Sequence, residues 1–277
     1  MADNVARPAG APRRERRVVK FGHIEVDVVS FAEALDAIAE LVTRREGGTV
    51  FTPNIDHVVI AEDDAQFRAA YADASLSLVD GKPLLWAAQL LGTKLPEKIS
   101  GSDLIAPLMQ RAAASAWSVY LLGAGPGVAE AAKAALERNH PGLRIVGTSS
   151  PRIDLSQSSA EQRELLDVVR TARPDIVLVA LGAPKQEIWS HRVASELSPA
   201  VLVGIGASLD FVAGTVKRAP AWMSAAGFEW LYRLAREPRR MGRRYLIRDP
   251  KFLKVLLRDV RAHRRSERAG SRRADDQ

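Results

Sequence analysis

The residues with the most chemical potential sit in two polar turns, Phe51-Thr52-Pro53-Asn54-Ile55-Asp56-His57 and, about two dozen residues on, Leu78-Val79-Asp80-Gly81-Lys82-Pro83. Each follows a short apolar run that reads as the end of a buried strand. Open α/β sheets hold their ligands in the crevice outside the carboxyl ends of the strands, so Thr52, Asn54 and Asp80 are expected close together on one crevice. A carboxylate in Asp80's place acts as a general base if partial burial raises its pKa; its ordinary role is a turn or a helix cap. Thr52 and Asn54 would fix a substrate hydroxyl or close an Asx-type turn. Asp56 and Asp103 precede helices and read as caps.

A second element of interest is Gly123-Ala124-Gly125-Pro126-Gly127, which follows an apolar strand and opens an Ala-rich helix, as a phosphate-cradling loop does. A dinucleotide site would also need an acid at the end of the following strand to hold a ribose; His140-Pro141-Gly142 and Arg144 lie there instead. The loop therefore reads either as a phosphate cradle or as a tight turn, with an NAD(P)-dependent oxidoreductase as the alternative function. No Asp-x-Asp occurs, so the paired carboxylates that usually hold a divalent ion beside a nucleotide diphosphate are missing. A diphosphate leaving group would have to be neutralised by Arg, Lys or backbone N–H groups. The five histidines show no metal-ligand spacing, and with no cysteine there is no thiolate chemistry and no disulfide.

These turns are positioned by a chain of 277 residues, 47% apolar, in which short apolar strands alternate with helices of 10–18 residues. That pattern predicts a parallel sheet covered on both faces. Val18–Phe21 and Ile24–Val29 predict a hairpin at its margin; helices are expected over 31–45, 56–73, from Pro83, over 103–115 with Ser102 as cap, and over 158–171. The net charge of +7 is uneven: residues 217–277 hold 18 Lys/Arg against seven acids, so the remaining body is slightly acidic. A basic segment of this kind seeks phosphates on nucleic acid, an anionic membrane or a diphosphate substrate; the acidic body argues against nucleic acid. The stretch 250–262 carries apolar residues among basic ones, which suits a helix in a membrane interface or one docked on the body. No apolar run approaches the ~20 residues of a membrane span. Four parts are expected: a disordered tail (1–17), a core (18–215), an Arg-rich helical appendage (216–265) and a second tail (266–277), in a protein of the cytoplasm that works on the inner membrane face. A homo-oligomer remains open.

Several ordered motifs give the chain a resemblance. They are Thr52-Pro53-Asn54, Asp80-Gly81-Lys82-Pro83-Leu84, Gly101-Ser102-Asp103-Leu104, Leu122 to Gly127, Leu181-Gly182-Ala183-Pro184-Lys185-Gln186-Glu187, Gly204-Ile205-Gly206 to Asp210-Phe211, and Arg218-Ala219-Pro220 with Glu229 to Leu234 and Glu237 to Arg240. In this order and spacing, from about Phe21 to about Tyr245, the chain resembles the WecG/TagA/CpsF glycosyltransferase family. The resemblance implies a Rossmann-like core and an inverting transferase that needs no metal or other cofactor. It would move a sugar from a UDP-sugar to a polyprenyl-diphosphate-linked saccharide. It matches Asp80 to the base, Thr52 and Asn54 to polar contacts with acceptor or sugar, and Gln186 and Asp210 to the nucleotide side. Backbone at Gly125, Gly127 and Gly206 would bind UDP, and Arg218 with Arg233, Arg240 or Arg243 would stabilise the departing diphosphate as the appendage closes over the site. Lys98 stands where the family often carries Arg, keeping the charge without the bidentate fork.

Overall fold

The computed structural model describes residues 16–156, 160–217, 219, 223, 229–236, 238, 242 and 244–275. The expected hairpin is present as a sheet of its own, β1 (Val18–Phe21) antiparallel to β2 (Ile24–Asp27). The main sheet has six strands: β3 (Gly48–Phe51), β4 (Leu76–Ser77), β5 (Ser118–Gly123), β6 (Arg144–Ser149), β7 (Ile176–Ala180) and β8 (Val201–Gly204). Their order is β4-β3-β8-β7-β5-β6 and every neighbouring pair is parallel. All six carboxyl ends therefore open on one edge.

The apolar runs exist because both faces of the sheet are covered. Val119, Leu121, Leu178 and Val203 pack on one face with residues of α1 (Phe31–Thr43), α5 (Gly101–Ala114), α6 (Val128–Asn139) and α9 (Ser208–Val212). Their alternates Tyr120, Leu122, Val177, Val179 and Leu202 pack on the other, with α7 (Ala160–Ala172) and α8 (Lys185–Val193), as the two-residue period of a strand requires. Phe51 joins a third cluster made by the hairpin, α2 (Ile55–Asp63), α3 (Ala65–Ala72), α4 (Lys82–Leu90) and the C-terminal helix Lys251–Asp275. The Asp27 carboxylate fastens the hairpin: it pairs with Arg16 and accepts from the Ser77 amide at 2.7 Å. No helix of the described residues is long and apolar enough to cross a membrane.

Three local expectations need correction. The helix expected over 56–73 is two helices, because the Asp64 side chain accepts from the amides of Gln66 and Phe67 (2.9 and 3.0 Å) and starts α3 afresh. The cap of α5 is Ser100, whose hydroxyl accepts from the Asp103 amide at 3.2 Å; Ser102 lies inside the first turn. The C-terminal helix runs on to Asp275, past the point where a disordered tail was expected to begin at residue 266. Residues 1–15 of the expected N-terminal tail lie outside the described residues.

Candidate active site

The turns after β3 and β4 meet. The Asp80 amide donates to the Pro53 carbonyl at 2.8 Å, so Asp80 stands beside the residue between Thr52 and Asn54. The Ile99 amide donates to the Val79 carbonyl at 2.7 Å, which brings the segment carrying Lys98 to the same place. Thr52 is nearly buried, its hydroxyl 3.5 Å from the Gly204 carbonyl of β8. Asn54 caps α2: its Oδ1 accepts from the Asp56 amide at 3.0 Å, and its own amide donates to Nδ1 of His57 at 3.2 Å. Lys98 is paired inward, with Nζ 2.6 Å from Asp103 and 3.4 Å from Ser100.

The turn after β8 adjoins this pair. Gln186 is buried and both ends of its amide are occupied: Nε2 donates to Glu187 at 2.6 Å, and Oε1 accepts from the Gly206 amide at 2.8 Å. Gln186 thus shapes the Gly206 turn, while Asp210 lies on α9 just beyond it, its carbonyl accepting from Thr215. Gly101 is a glycine because a Cβ there would stand 2.8 Å from the Cα of Ile205. The amino end of α5 therefore lies directly on the Gly206 turn.

Gly123 to Gly127 occupy the carboxyl end of β5. Gly123 (φ +108) lies against β7, where a Cβ would be 2.5 Å from the Ala180 carbonyl oxygen, and the Ser150 hydroxyl donates to the carbonyls of Gly123 and Gly125. Gly127 is left-handed (φ +77) with open space where a Cβ would be. Among the described residues, the helices opening at this edge with no side-chain cap are α4, α6, α8 and the short α9. Their first N–H groups and dipoles suit an anion. From β4, which leads into the Asp80 turn, to β5, which leads into the Gly125 turn, is four strand spacings, about 19 Å.

The appendage docks on these turns. Arg244, in the π-helical turn Arg244–Arg248, donates from Nη2 to Asn54 Oδ1 at 2.9 Å, and its Nε lies 3.4 Å from Asp56 and 3.7 Å from Asp249. Arg248 adds a 3.0 Å bond to Asp56. Burial pushes the Asp249 carboxyl up to about 6, against the pull of Arg244. Further on, Arg258 forms a two-armed pair with Glu62 (2.7 and 2.9 Å), which holds that carboxyl below its usual range. Of the arginines expected to meet the diphosphate, Arg218, Arg240 and Arg243 lie outside the described residues, and Arg233 falls in the helix Glu229–Arg236.

With the motifs of residues 52–210 gathered along one edge, the comparison with known proteins is decisive. The profile of the Glycosyl transferase WecG/TagA/CpsF family matches residues 19–266. The chain belongs to the WecG/TagA/CpsF glycosyltransferase family. It is similar to an N-acetylglucosaminyldiphosphoundecaprenol N-acetyl-beta-D-mannosaminyltransferase of Bacillus spizizenii, 30% identical over 239 residues that cover 86% of this chain and 89% of that protein. A protein of the same name from Bacillus subtilis strain 168 is 28% identical over 237 residues, with the same coverage. The family match leaves the oxidoreductase alternative without support.

In this transferase the parts that join distant segments carry no signal in the sequence. Buried His57 and Glu187 face one another at 3.5 Å behind the Asn54 turn. Tyr71 lies beside them, its hydroxyl buried and pushed well above its ordinary pKa by burial and by the charges of Glu187 and Asp80. Arg244 and Arg248 had no mark among the 18 basic residues of the C-terminal segment. Among the described residues no three of His, Asp and Glu gather as a metal site would require.

Proposed function

We propose that this transferase moves an N-acetylhexosamine, its uronic acid or a hexose from a UDP-sugar to a polyprenyl-diphosphate-linked saccharide, with inversion and without a metal. The reading rests on one observation: Asp80, the Thr52–Asn54 turn, the Gly206 turn and three uncapped helices of eight residues or more share one sheet edge in a chain of this family. The relatives' names give the finer expectation, an N-acetylmannosamine joined in β linkage to an N-acetylglucosaminyl-diphosphate lipid. A β product from an α-linked UDP-sugar is what a single in-line displacement yields.

The proposed step balances simply. The Asp80 carboxylate takes the proton of the acceptor hydroxyl, whose oxygen attacks the anomeric carbon as the bond to the β-phosphate oxygen breaks and UDP departs. A positioned base contributes roughly 10²–10⁴-fold. Asn54 offers its Nδ2 to substrate, because its Oδ1 is already taken by Asp56 and Arg244. The amides opening α6 and α8, with the backbone at Gly125, Gly127 and Gly206, receive the nucleotide side near Gln186 and Asp210. Arg218, Arg233, Arg240 and Arg243, with Lys98 once it leaves Asp103, neutralise the diphosphate. The lack of any Asp-x-Asp in the sequence supports a reaction that needs no divalent ion.

The appendage brings the enzyme to its lipid acceptor on the inner membrane face. Exposed Leu246, Leu253 and Leu257 stand among Lys251, Lys254 and Arg261, a mixture suited to an anionic interface, where each basic residue is worth about 1 kcal/mol. The test of function is incubation of the full chain, with and without chelator, with a panel of UDP-sugars and short-chain polyprenyl-diphosphate N-acetylglucosamine, read by mass spectrometry. A mass gain of one N-acetylhexosamine, unaffected by chelator, is expected. Transfer from no UDP-sugar would overturn the reading.

A further inference from the structure

Behind the two turns lies a carboxylate that the reaction above does not use. Glu187 is fully buried and its Oε2 has no hydrogen-bond partner. It faces His57, whose ring contacts those of Phe67 and Tyr71 in a cluster with centroids 5.1–6.3 Å apart. The buried Tyr71 hydroxyl also lacks a partner. Holding a carboxylate here is costly, because removing one from water costs several kcal/mol.

What the carboxylate does is set the polarity of two neighbours. The Asn54 amide can only donate, so His57 Nδ1 is its acceptor and the imidazole proton belongs on Nε2, which faces Glu187 Oε1 at 3.5 Å. The same oxygen accepts from Gln186 Nε2 at 2.6 Å, which turns the amide so that its carbonyl end receives the Gly206 amide. One buried oxygen thus fixes a tautomer on one side and an amide orientation on the other. The two arms end on the Asn54 and Gly206 turns, which flank the Thr52–Gly204 contact.

We propose that Glu187 is a positioning residue for sugar transfer, holding the Asn54 and Gly206 turns in register through His57 and Gln186. The inference rests on the transferase reading above. Its test compares Glu187→Leu and Glu187→Gln with the wild-type full chain in transfer kinetics, thermal melting and ¹⁵N-histidine NMR at pH 7.5. Glu187→Leu leaves the buried N–H groups of Gln186 and His57 without their acceptor, so it should melt lower than wild type; below that melting temperature it should lose roughly 10–100-fold in kcat, the scale of a small misplacement of reacting groups. Its donor KM should change less than kcat. Glu187→Gln should stay within about threefold of wild type, because its carbonyl still accepts from both neighbours. Wild-type His57 should carry its proton on Nε2 alone.

Wild-type kcat in Glu187→Leu, or parallel losses of kcat and melting temperature in both variants, would overturn the proposal. So would a His57 protonated on Nδ1, a readout that stands even if Glu187→Leu does not fold. If the wild-type chain itself transfers no sugar, the functional reading fails instead, and the histidine signal still decides the geometry of the pair.

Discussion

Arg244→Ala tests how the appendage is held. The substitution removes a charge-assisted hydrogen bond to Asn54, worth roughly 1.5–3 kcal/mol, and takes from Asp249 the cation paired with it at 3.7 Å. Breaking a fully buried pair costs about 3–5 kcal/mol. The Arg244 side chain is 22% exposed and Asp56 keeps Arg248, so solvent and the remaining partner reduce the loss. The net expectation is roughly 2–3 kcal/mol, or about 30–150-fold in the local opening equilibrium. Hydrogen exchange of the Asp249 amide, which donates to the Arg244 carbonyl at 2.8 Å, reads this directly. Protection there should fall by that factor. Amides of Phe252 to Val260 should change much less, because Phe252 and Val255 are buried against the body and Arg258 holds Glu62. Unchanged exchange at Asp249, or an equal change through the whole C-terminal helix, would refute the latch.

Three further outcomes follow from the same structure. Because the Asp249 pKa is raised to about 6, the folded state holds a proton that the unfolded chain releases near 4. Stability from this group is present below about pH 4 and lost as pH rises through 6, on the order of 1–3 kcal/mol; urea melts of Asp249→Asn should lack that decline, and an identical pH profile would contradict the assignment. Gly101→Ala puts a Cβ 2.8 Å from the Ile205 backbone, so melting should fall by about 1–3 kcal/mol and kcat by roughly 10–100-fold; a variant equal to wild type in both would deny the close approach. Removing residues 216–277 should abolish binding to anionic vesicles and cripple transfer together, and a truncated enzyme that keeps both would leave the appendage with neither role.

What could be read from the sequence was local. The apolar runs of β5, β7 and β8 mark buried parallel strands, and a polar turn after each of β3 and β4 suffices to place Asp80 by Thr52 and Asn54. What escaped depends on which strands become neighbours. His57 and Glu187 are 130 positions apart, and they meet because β3 lies beside β8 and α8 packs below it. Arg244 and Asn54 are separated by 190 positions, and nothing in a run of arginines marks the one that turns inward. The errors within single segments have smaller causes. Asp64 offers two amides a better acceptor than a continuing helix does, and Ser100 takes the cap that Ser102 could have held.

The proposed transfer turns on Asp80. Asp80→Asn keeps the size of the side chain and the backbone bond to Pro53 but removes the proton acceptor. The most direct measurement is single-turnover transfer by this variant beside its calorimetric affinity for the UDP-sugar. A loss of roughly 10²–10⁴-fold in transfer is expected, with donor affinity nearly unchanged. Transfer at the wild-type rate would contradict it.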